Sequence, residues 1–402
     1  MGTTKKITAR KTGGGGARAT AKGAAHREDK QKPRVKAANK PGRPGAGAGA
    51  DAEIPAPERR LDGKSLLVTG GAGFIGSNFI HYLLDKYKNI RIVNLDKLTY
   101  AGNLDNLADL GCDTRHEFIQ GDIRNAELVR SILQHVQGVV HFAAETHVDR
   151  SILSGGEFVL TDVHGTYVLL EAVRNAPQIE FFLHVSTDEV YGSRDEGFFS
   201  ETAPLNPSSP YSASKVGADR LAHAFHVTYG TPILIVRPSN NYGPFQYPEK
   251  FIPLFTTNAM EGRPLPLYGK GRNVRDWLHV EDNCRAIETV IERGKAGEAY
   301  NIGANDEREN IEVARKIVKL AGKKADLIKF VPDRLGHDRR YAVNCRKIKA
   351  LGWRRQVAFE EGLERTVRWY IEYEAWWRKI KEKSAVYKAF YEQYYKDRGV
   401  RS

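Results

Sequence analysis

Between Lys64 and Leu95 the chain reads KSLLVTGGAGFIGSNFIHYLLDKYKNIRIVNL, the stretch that most narrows what it can fold into. Lys64 to Thr69 is a short apolar run that feeds into Gly70, Gly73 and Gly76, a GxxGxxG frame, and then into a helical pattern. Ile90 to Leu95 predicts a second strand, with Asp96 at its end, twenty residues past Gly76. Strand, glycine turn, helix and strand in that order predict a dinucleotide-binding βαβ unit. The glycines permit a tight turn, close approach of backbone to a pyrophosphate, and close packing of helix on strand, and the helix N-terminus faces the phosphates. An acidic side chain at Asp96 accepts hydrogen bonds from a ribose 2′-hydroxyl and repels a 2′-phosphate, which favours NAD over NADP.

The alternation continues downstream. HEFIQGDI ends in Asp122 and Ile123, GVVHFAA in Ala143 and Ala144, EFFLHVS at Ser186, and PILIVRPSN follows. Helical stretches such as GTYVLLEAVRNA separate these runs, so the expected class is α/β, a doubly wound parallel sheet of Rossmann type with a smaller C-terminal substrate lobe. The expected division is a nucleotide-binding domain over 61–241, part of 275–303 returning to it, and 242–402 forming mainly the substrate lobe and C-terminal helices. Ligands of such sheets bind at the carboxyl ends of the strands. LHVSTDEVYG, Leu183 to Gly192, therefore places a hydroxyl, Thr187, and two adjacent carboxylates, Asp188 and Glu189, at the cofactor crevice.

PYSASKVGADRLAHAF carries Tyr211 and Lys215 four residues apart, on one face of a helix. A phenol beside an ammonium is expected to have a lowered pKa and to act as general base toward a sugar hydroxyl.

With 402 residues, 41% of them hydrophobic, the chain is long enough for one large unit or two lobes. Its formal charge of +13 is uneven: residues 1–50 hold thirteen Lys and Arg against Glu28 and Asp29, or +11, leaving about +2 for the rest. That segment, rich in Gly, Ala and Pro, lacks large apolar residues, so 1–60 is expected to be a disordered tail. A transit peptide and a non-specific nucleic-acid arm are the competing readings; Gly and Pro weigh against the first, and the lack of interleaved aromatics against the second. No stretch approaches the roughly 18 to 20 apolar residues of a membrane span, so a soluble, cytoplasmic protein is expected. Cys112, Cys284 and Cys345 show neither disulfide nor metal-site spacing, and no metal is expected.

GGAGFIG, AAETHVDRS, STDEVYG, YSASK and RPSNNYGPFQYPEKFIP together resemble the extended short-chain dehydrogenase/reductase superfamily, and within it the nucleotide-sugar 4,6-dehydratases of the dTDP-glucose type, over about Lys64 to Trp353. The resemblance implies NAD as cofactor, a nucleoside diphosphate sugar as substrate, and a homodimer built through helices that include that of Tyr211. It assigns Tyr211, with Lys215, to take the C4 hydroxyl proton, Thr187 to hydrogen-bond the C4 oxygen, Glu189 as base at C5 and Asp188 as acid at the C6 oxygen. By the same carry-over Gly70, Gly73, Phe74, Ile75, Gly76, Asp96, Lys97, Thr99, Asp122, Ile123, Ala143, Ala144, Thr146, Thr161, Tyr211, Lys215 and Asn240 contact the cofactor. Thr146, Asn241, Glu249, Lys250, Tyr268, Arg275, Asn310, Asp333, Arg334 and His337 contact the substrate, with Arg275, Arg334 and His337 on the pyrophosphate. Thr146 stands where Ser is expected, keeping the hydroxyl and adding a methyl.

Four other functions compete. A 4-epimerase shares the glycines and Tyr-x3-Lys but typically has small neutral residues at the positions of Asp188 and Glu189. A nucleotide-sugar decarboxylase or a GDP-mannose 4,6-dehydratase resembles Thr-Ser-Glu there, which makes Asp188 the discriminating residue. A non-catalytic NAD-sensing or nucleic-acid-associated binding protein using its basic tail has no need of the tyrosine, the lysine and both acids. Thymine and uracil nucleotides are not distinguished, so UDP-glucose remains an alternative substrate. From Glu360 an amphipathic helix is expected to cover the substrate lobe with Leu363, Val367, Tyr370 and Ile371, and the Tyr-rich end, YKAFYEQYYKDRGVRS, receives no function.

Overall fold

The structure is a computed structural model that describes residues 61–396; the basic segment expected to be disordered lies outside the described residues. The first half of the described chain alternates strand and helix: β1 (Ser65–Thr69), α1 (Phe74–Lys86), β2 (Arg91–Asp96), β3 (His116–Gln120), α2 (Ala126–Leu133), β4 (Gly138–His141) and α3 (Val148–Leu153). A π-helical turn at Val159–Gly165 runs into α4 (Thr166–Arg174), followed by β5 (Phe181–Val185), α5 (Pro210–Tyr229) and β6 (Ile233–Pro238). The second half has shorter strands: β7 (Asn240–Tyr242), α6 (Phe251–Glu261), β8 (Leu265–Tyr268), β9 (Val274–His279), α7 (Val280–Arg293), β10 (Ala299–Ile302), β11 (Glu307–Glu309), α8 (Asn310–Leu320) and β12 (Ile328–Val331). Helices α9 (Phe359–Glu372), α10 (Glu374–Lys383) and α11 (Ala385–Lys396) follow.

Seven parallel strands form the main sheet in the order β10-β6-β5-β4-β1-β2-β3. The order turns at β1, and the crevice between β1 and β4 is where such a sheet receives a ligand. Successive side chains of a strand point to opposite faces. Leu66, Val68, Val140, Leu183 and Val236 thus pack with Phe79, Ile80 and Leu83 of α1 and Ile287 and Ile291 of α7. Leu67, Val139, Phe182 and Ile235 pack on the other face with Val129 and Ile132 of α2 and Leu169 and Leu170 of α4. Cover on both faces is why GVVH and FFLHV read as unbroken buried runs rather than alternating ones.

Local chemistry fixes α5. Ser209 and Ser212 form a reciprocal capping box, and Pro210 opens the first turn. Arg237 of β6 donates two hydrogen bonds to Asp219 of α5, at 2.8 and 2.9 Å, with both side chains buried. The pair ties the helix that carries Tyr211 and Lys215 to the sheet.

A third core joins Leu254 and Phe255 of α6, Trp277 of β9, Val313 and Ile317 of α8 and the C-terminal helices. Two expectations change here. The single helix expected from Glu360 is two helices, α9 and α10, broken at Tyr373, where φ is −99° and ψ 41°. Leu363, Val367 and Tyr370 are buried, but Ile371 is 44% exposed, because it lies a further 100° around α9 from Tyr370. The Tyr-rich end also has a structural role: Tyr387, Phe390 and Tyr391 of α11 are buried in this core.

Candidate active site

The strand ends of the main sheet open into one cleft. Gly70 takes φ +72°, and a Cβ there would lie 2.6 Å from the Ala143 backbone nitrogen; at Gly76 a Cβ would lie 2.3 Å from the Gly70 carbonyl oxygen. Glycine at both positions lets the turn, α1 and the segment after β4 approach this closely. Gly73 begins α1 with no side-chain cap, so N–H groups of the first turn lack a protein side-chain acceptor at a cleft bordered by Gly73, Phe74, Ile75 and Gly76. An anionic pyrophosphate fits this end, and the residues present are compatible with a bound dinucleotide.

Asp96 is held at the same rim. Its carboxylate accepts from the backbone N–H of Ala72 at 3.0 Å and of Leu98 at 2.8 Å, while burial raises its pKa against those two bonds. Asp122 meets Lys97 at 2.9 Å and Arg124 at 2.8 Å. Burial alone would raise Asp122, but the hydrogen bonds from Arg124 and Lys97 bring it down to about 2. Thr99, Ile123, Ala143, Ala144, Thr146, Thr161 and Asn240 also border the cleft.

At the end of β5 the Thr187 hydroxyl caps the turn at Asp188–Tyr191, accepting from Glu189 N–H at 3.3 Å, and donates to Asp188 Oδ1 at 3.3 Å. Asp188 Oδ2 is buried with no protein partner. Burial, then the charges of Glu189 and Asp276, raise Asp188 well above the usual carboxylate range. Burial also raises Glu189, but there Arg334, Arg275 and Lys250 pull the other way. The adjacent acids therefore differ in surroundings: after burial, carboxylates weigh most on Asp188, with Arg275 opposing, and cations weigh most on Glu189, with Asp338 opposing.

Tyr211 and Lys215 border the same cleft, yet the expected lowering of the phenol is not found. Burial raises Tyr211 well above its ordinary value, the charges of Glu189 and Asp162 add to this, and the Thr187 side chain opposes it. The Lys215 ammonium is aimed at the sheet, donating to the Val185 carbonyl at 2.8 Å, and burial lowers its own pKa. Asp162, on the π-helical turn, accepts from Ser214 Oγ at 2.6 Å and from Glu145 N–H at 2.8 Å, and burial pushes it up to about 6.

The substrate candidates divide in two. Thr146, Asn241, Glu249 and Lys250 border the cleft with Thr187, Asp188, Glu189, Tyr211 and Lys215. Lys250 donates to the Thr146 carbonyl, and Arg150 Nη2 donates to Glu249 Oε2 at 2.7 Å. Tyr268, Arg275, Asn310, Asp333, Arg334 and His337 do not line it but gather beside it. Tyr268 donates to Asp149 at 3.0 Å, Arg334 lies 3.6 Å from the same carboxylate, and His337 pairs with Asp333. The Arg275 guanidinium donates to the carbonyls of Val274, Asp338 and Arg339, and the Asn310 side-chain oxygen is buried without a protein partner. Arg275 and Arg334 reach the site through their charge on Glu189.

Tyr100, Glu145 and Tyr247 border the cleft and were not singled out by sequence; Arg150 sits behind Glu249. Glu145 and Arg150 lie inside AAETHVDRS, where charges directly after a buried strand were the available signal. Tyr100 and Tyr247 stand in loops, where no periodicity marks an aromatic.

The model of the family described as GDP-mannose 4,6 dehydratase matches residues 67–366. The chain belongs to this family. A dTDP-glucose 4,6-dehydratase of Streptomyces niveus is 49% identical over 321 residues, covering 79% of this chain and 95% of that protein. Among solved structures, DesIV, a dTDP-glucose 4,6-dehydratase from Streptomyces venezuelae with NAD bound, superposes with a TM-score of 0.77 at 50% identity, covering 79% of this chain and 99% of that one. A UDP-glucuronic acid 4-epimerase from Bacillus cereus, solved with UDP-glucuronic acid and NAD, gives 0.73 at 29% identity, covering 77% and 99%. This dehydratase-family chain thus shares its fold with both enzyme types, and of the three its sequence is nearer to the two dehydratases.

Proposed function

We propose that this chain is an NAD-dependent hydro-lyase that converts dTDP-glucose to dTDP-4-keto-6-deoxyglucose, a precursor of deoxysugars such as rhamnose. The observation that carries the reading is the pair Asp188 and Glu189, adjacent at the end of β5 and bordering the same cleft as Tyr211, both raised by burial, with neighbouring carboxylates adding to the rise of Asp188 and cations opposing that of Glu189. An elimination needs one carboxyl that holds its proton and one that gives its proton up, and environments that push two pKa values apart supply that division. The substrate identity is supported by relatives near 50% identity that carry dTDP-glucose dehydratase names.

Gly70, Gly73, Gly76 and Asp96 would hold NAD, which when bound would supply the hydride acceptor for C4 and the hydride donor for C6. Tyr211 takes the proton of the C4 hydroxyl, with Thr187 beside the same oxygen. The resulting ketone acidifies C5–H, which Glu189 removes. Asp188 delivers its proton to the C6 oxygen, which leaves as water, and Glu189 returns its proton to C5. Glu249, Lys250 and Asn241 are proposed to hold the sugar, and the Arg275, Arg334 and His337 cluster the diphosphate.

A cytoplasmic homodimer is the form proposed for the enzyme. Val159, Leu160, Tyr167, Val227 and Tyr229 are large apolar side chains exposed on the neighbouring helices around α4 and α5, and such a patch favours association. Among the described residues no helix is long and apolar enough to cross a membrane.

The test is to incubate the purified protein separately with dTDP-glucose and UDP-glucose and weigh the products. A product lighter by one water from dTDP-glucose is expected. Conversion of UDP-glucose alone would move the substrate assignment, and an isomer of unchanged mass would replace the dehydratase reading with an epimerase.

A further inference from the structure

In a nucleoside diphosphate sugar the ring is attached to the second phosphate at C1, and C4 lies across the ring from C1. Where the diphosphate is held therefore governs where the C4 hydroxyl falls. The groups proposed to meet the two ends of this unit are far apart in sequence: Arg334 and His337 on the loop after β12, Tyr211 in the first turn of α5, and Asp188 and Glu189 after β5. The fold has to keep these segments in register.

We infer that Asp338 is the positioning residue that sets this register, tying the loop of the diphosphate cluster to the helix that carries Tyr211. The inference rests on the function proposed above and adds a residue to which that reading gives no part. Asp338 is buried, and one of its oxygens, Oδ2, accepts from two hydroxyls, that of Ser208 and that of Tyr341, the latter at 2.8 Å. Ser208 directly precedes Ser209, the N-cap of α5, and stands three residues before Tyr211. The Asp338 backbone carbonyl accepts from Arg275 Nη2 at 3.0 Å and from Asn273 Nδ2 at 3.3 Å. One residue thus holds the entry to α5 with its side chain and an arginine of the diphosphate cluster with its main chain, and His337 is its neighbour in the chain.

The loop also approaches α5 closely. Gly336 takes φ +60°, and a Cβ there would lie 2.9 Å from the Ser208 carbonyl oxygen, so glycine lets the chain pass beside Ser208 two residues before Asp338 bonds it. The next residues reach the segment of the two acids. The backbone N–H groups of Arg339 and Arg340 donate to Ser193 Oγ at 3.1 and 3.3 Å, and Ser193 stands two residues past the turn Asp188–Tyr191. Residues 336–340 therefore touch both catalytic segments. The competing role for Asp338 is its negative charge, which is among those that raise Glu189.

Register and charge separate when the Ser208–Asp338 bond is removed from either side. Full-length NAD-loaded variants are assayed for turnover at saturating dTDP-glucose and, by calorimetry, for dTDP affinity. Ser208→Ala deletes a hydroxyl at an exposed position and leaves every charge in place. It should bind dTDP within about twofold of wild type yet turn over about tenfold slower, inside the loss of up to about 10²-fold that a misplacement of about 1 Å brings. Ser208→Thr keeps a hydroxyl and should recover most of the rate. Asp338→Asn drops the charge but can turn its amide oxygen to Ser208 and Tyr341, and should stay near wild type. Asp338→Ala should be at least as slow as Ser208→Ala, and adding Ser208→Ala to it should cost nothing more, as for two partners in one bond. Should Asp338→Ala fail to retain NAD, the two Ser208 variants decide alone. Ser208→Ala at the wild-type rate, rate and dTDP affinity lost in parallel, or Asp338→Asn as slow as Asp338→Ala would overturn the register. The dehydratase reading fails separately, when the wild type releases no product lighter by one water.

Discussion

Tyr211→Phe deletes the oxygen proposed to take the C4 proton, and turnover should fall by roughly 10²- to 10⁴-fold, the range lost with a general base. Asp188→Asn leaves Tyr211, Lys215 and the cofactor wall intact, so C4 can still be oxidised while the C6 oxygen leaves poorly. Absorbance of the reduced nicotinamide should then rise on mixing with dTDP-glucose and persist. Solvent deuterium should enter C5 in this variant, where Glu189 still works, but not in Glu189→Gln. Wild-type turnover of Asp188→Asn with no such absorbance would leave the carboxylate as a mere neighbour of the turn that Thr187 caps. A second residue bears on stability rather than chemistry. Asp162 has its pKa raised to about 6 by burial, from an ordinary 3.8. As pH rises from about 4 to 6 the unfolded chain loses this proton while the folded one keeps it, so the group's contribution to stability falls across that window. Asp162→Asn cannot ionise, and its melting temperature should decline less between pH 4 and 6 than that of the wild type.

Helix α11 is the element whose purpose was least visible beforehand. Phe390 lies 4.3 Å from the Arg150 guanidinium, which is 4.0 Å from the Tyr100 ring on its other contact and grips Glu249 at the cleft. Phe390→Ala should therefore raise KM for the sugar nucleotide more than it lowers kcat, with a stability loss near 3 kcal/mol, typical of a buried phenylalanine. A lower melting temperature with unchanged KM would confine α11 to packing. The spacing of Tyr387, Phe390 and Tyr391 is that of one helical face, so burial of this segment was available from periodicity, whereas its reach to Arg150 depends on contacts more than 200 positions apart in sequence. The same division holds elsewhere. The strands of the main sheet and the glycine turn were legible because buried parallel strands are unbroken apolar runs and because backbone closeness demands glycine. The break at Tyr373 was not, since neither Gly nor Pro marks it. Arg275 was identified by its type, but its three carbonyl acceptors come from how β9 and the 338–339 segment meet, which no local pattern encodes.

Across the whole molecule, every candidate site residue lies between Gly70 and His337, and residues 1–50 carry most of the net charge. Removing residues 1–50 should leave turnover within about twofold, because a Gly-, Ala- and Pro-rich segment without large apolar residues contributes no core and holds none of the candidate site residues; loss of most activity with an unchanged melting temperature would make the segment part of the site. The main sheet, by contrast, is not assembled from one continuous stretch. Its outermost strand beside β6 is β10, which arrives only after β7, β8, β9 and α7 have been laid down, and α7 packs on α1 from the start of the fold. On a ribosome, the nucleotide-binding half therefore emerges with β6 as an open edge and with the side of α1 that meets α7 uncovered, and the edge stays open until the chain beyond Ile302 is free of the exit tunnel. For that interval the nascent protein exposes a template for aberrant strand pairing, and helper proteins that shield such edges would matter most over these sixty-odd residues of synthesis.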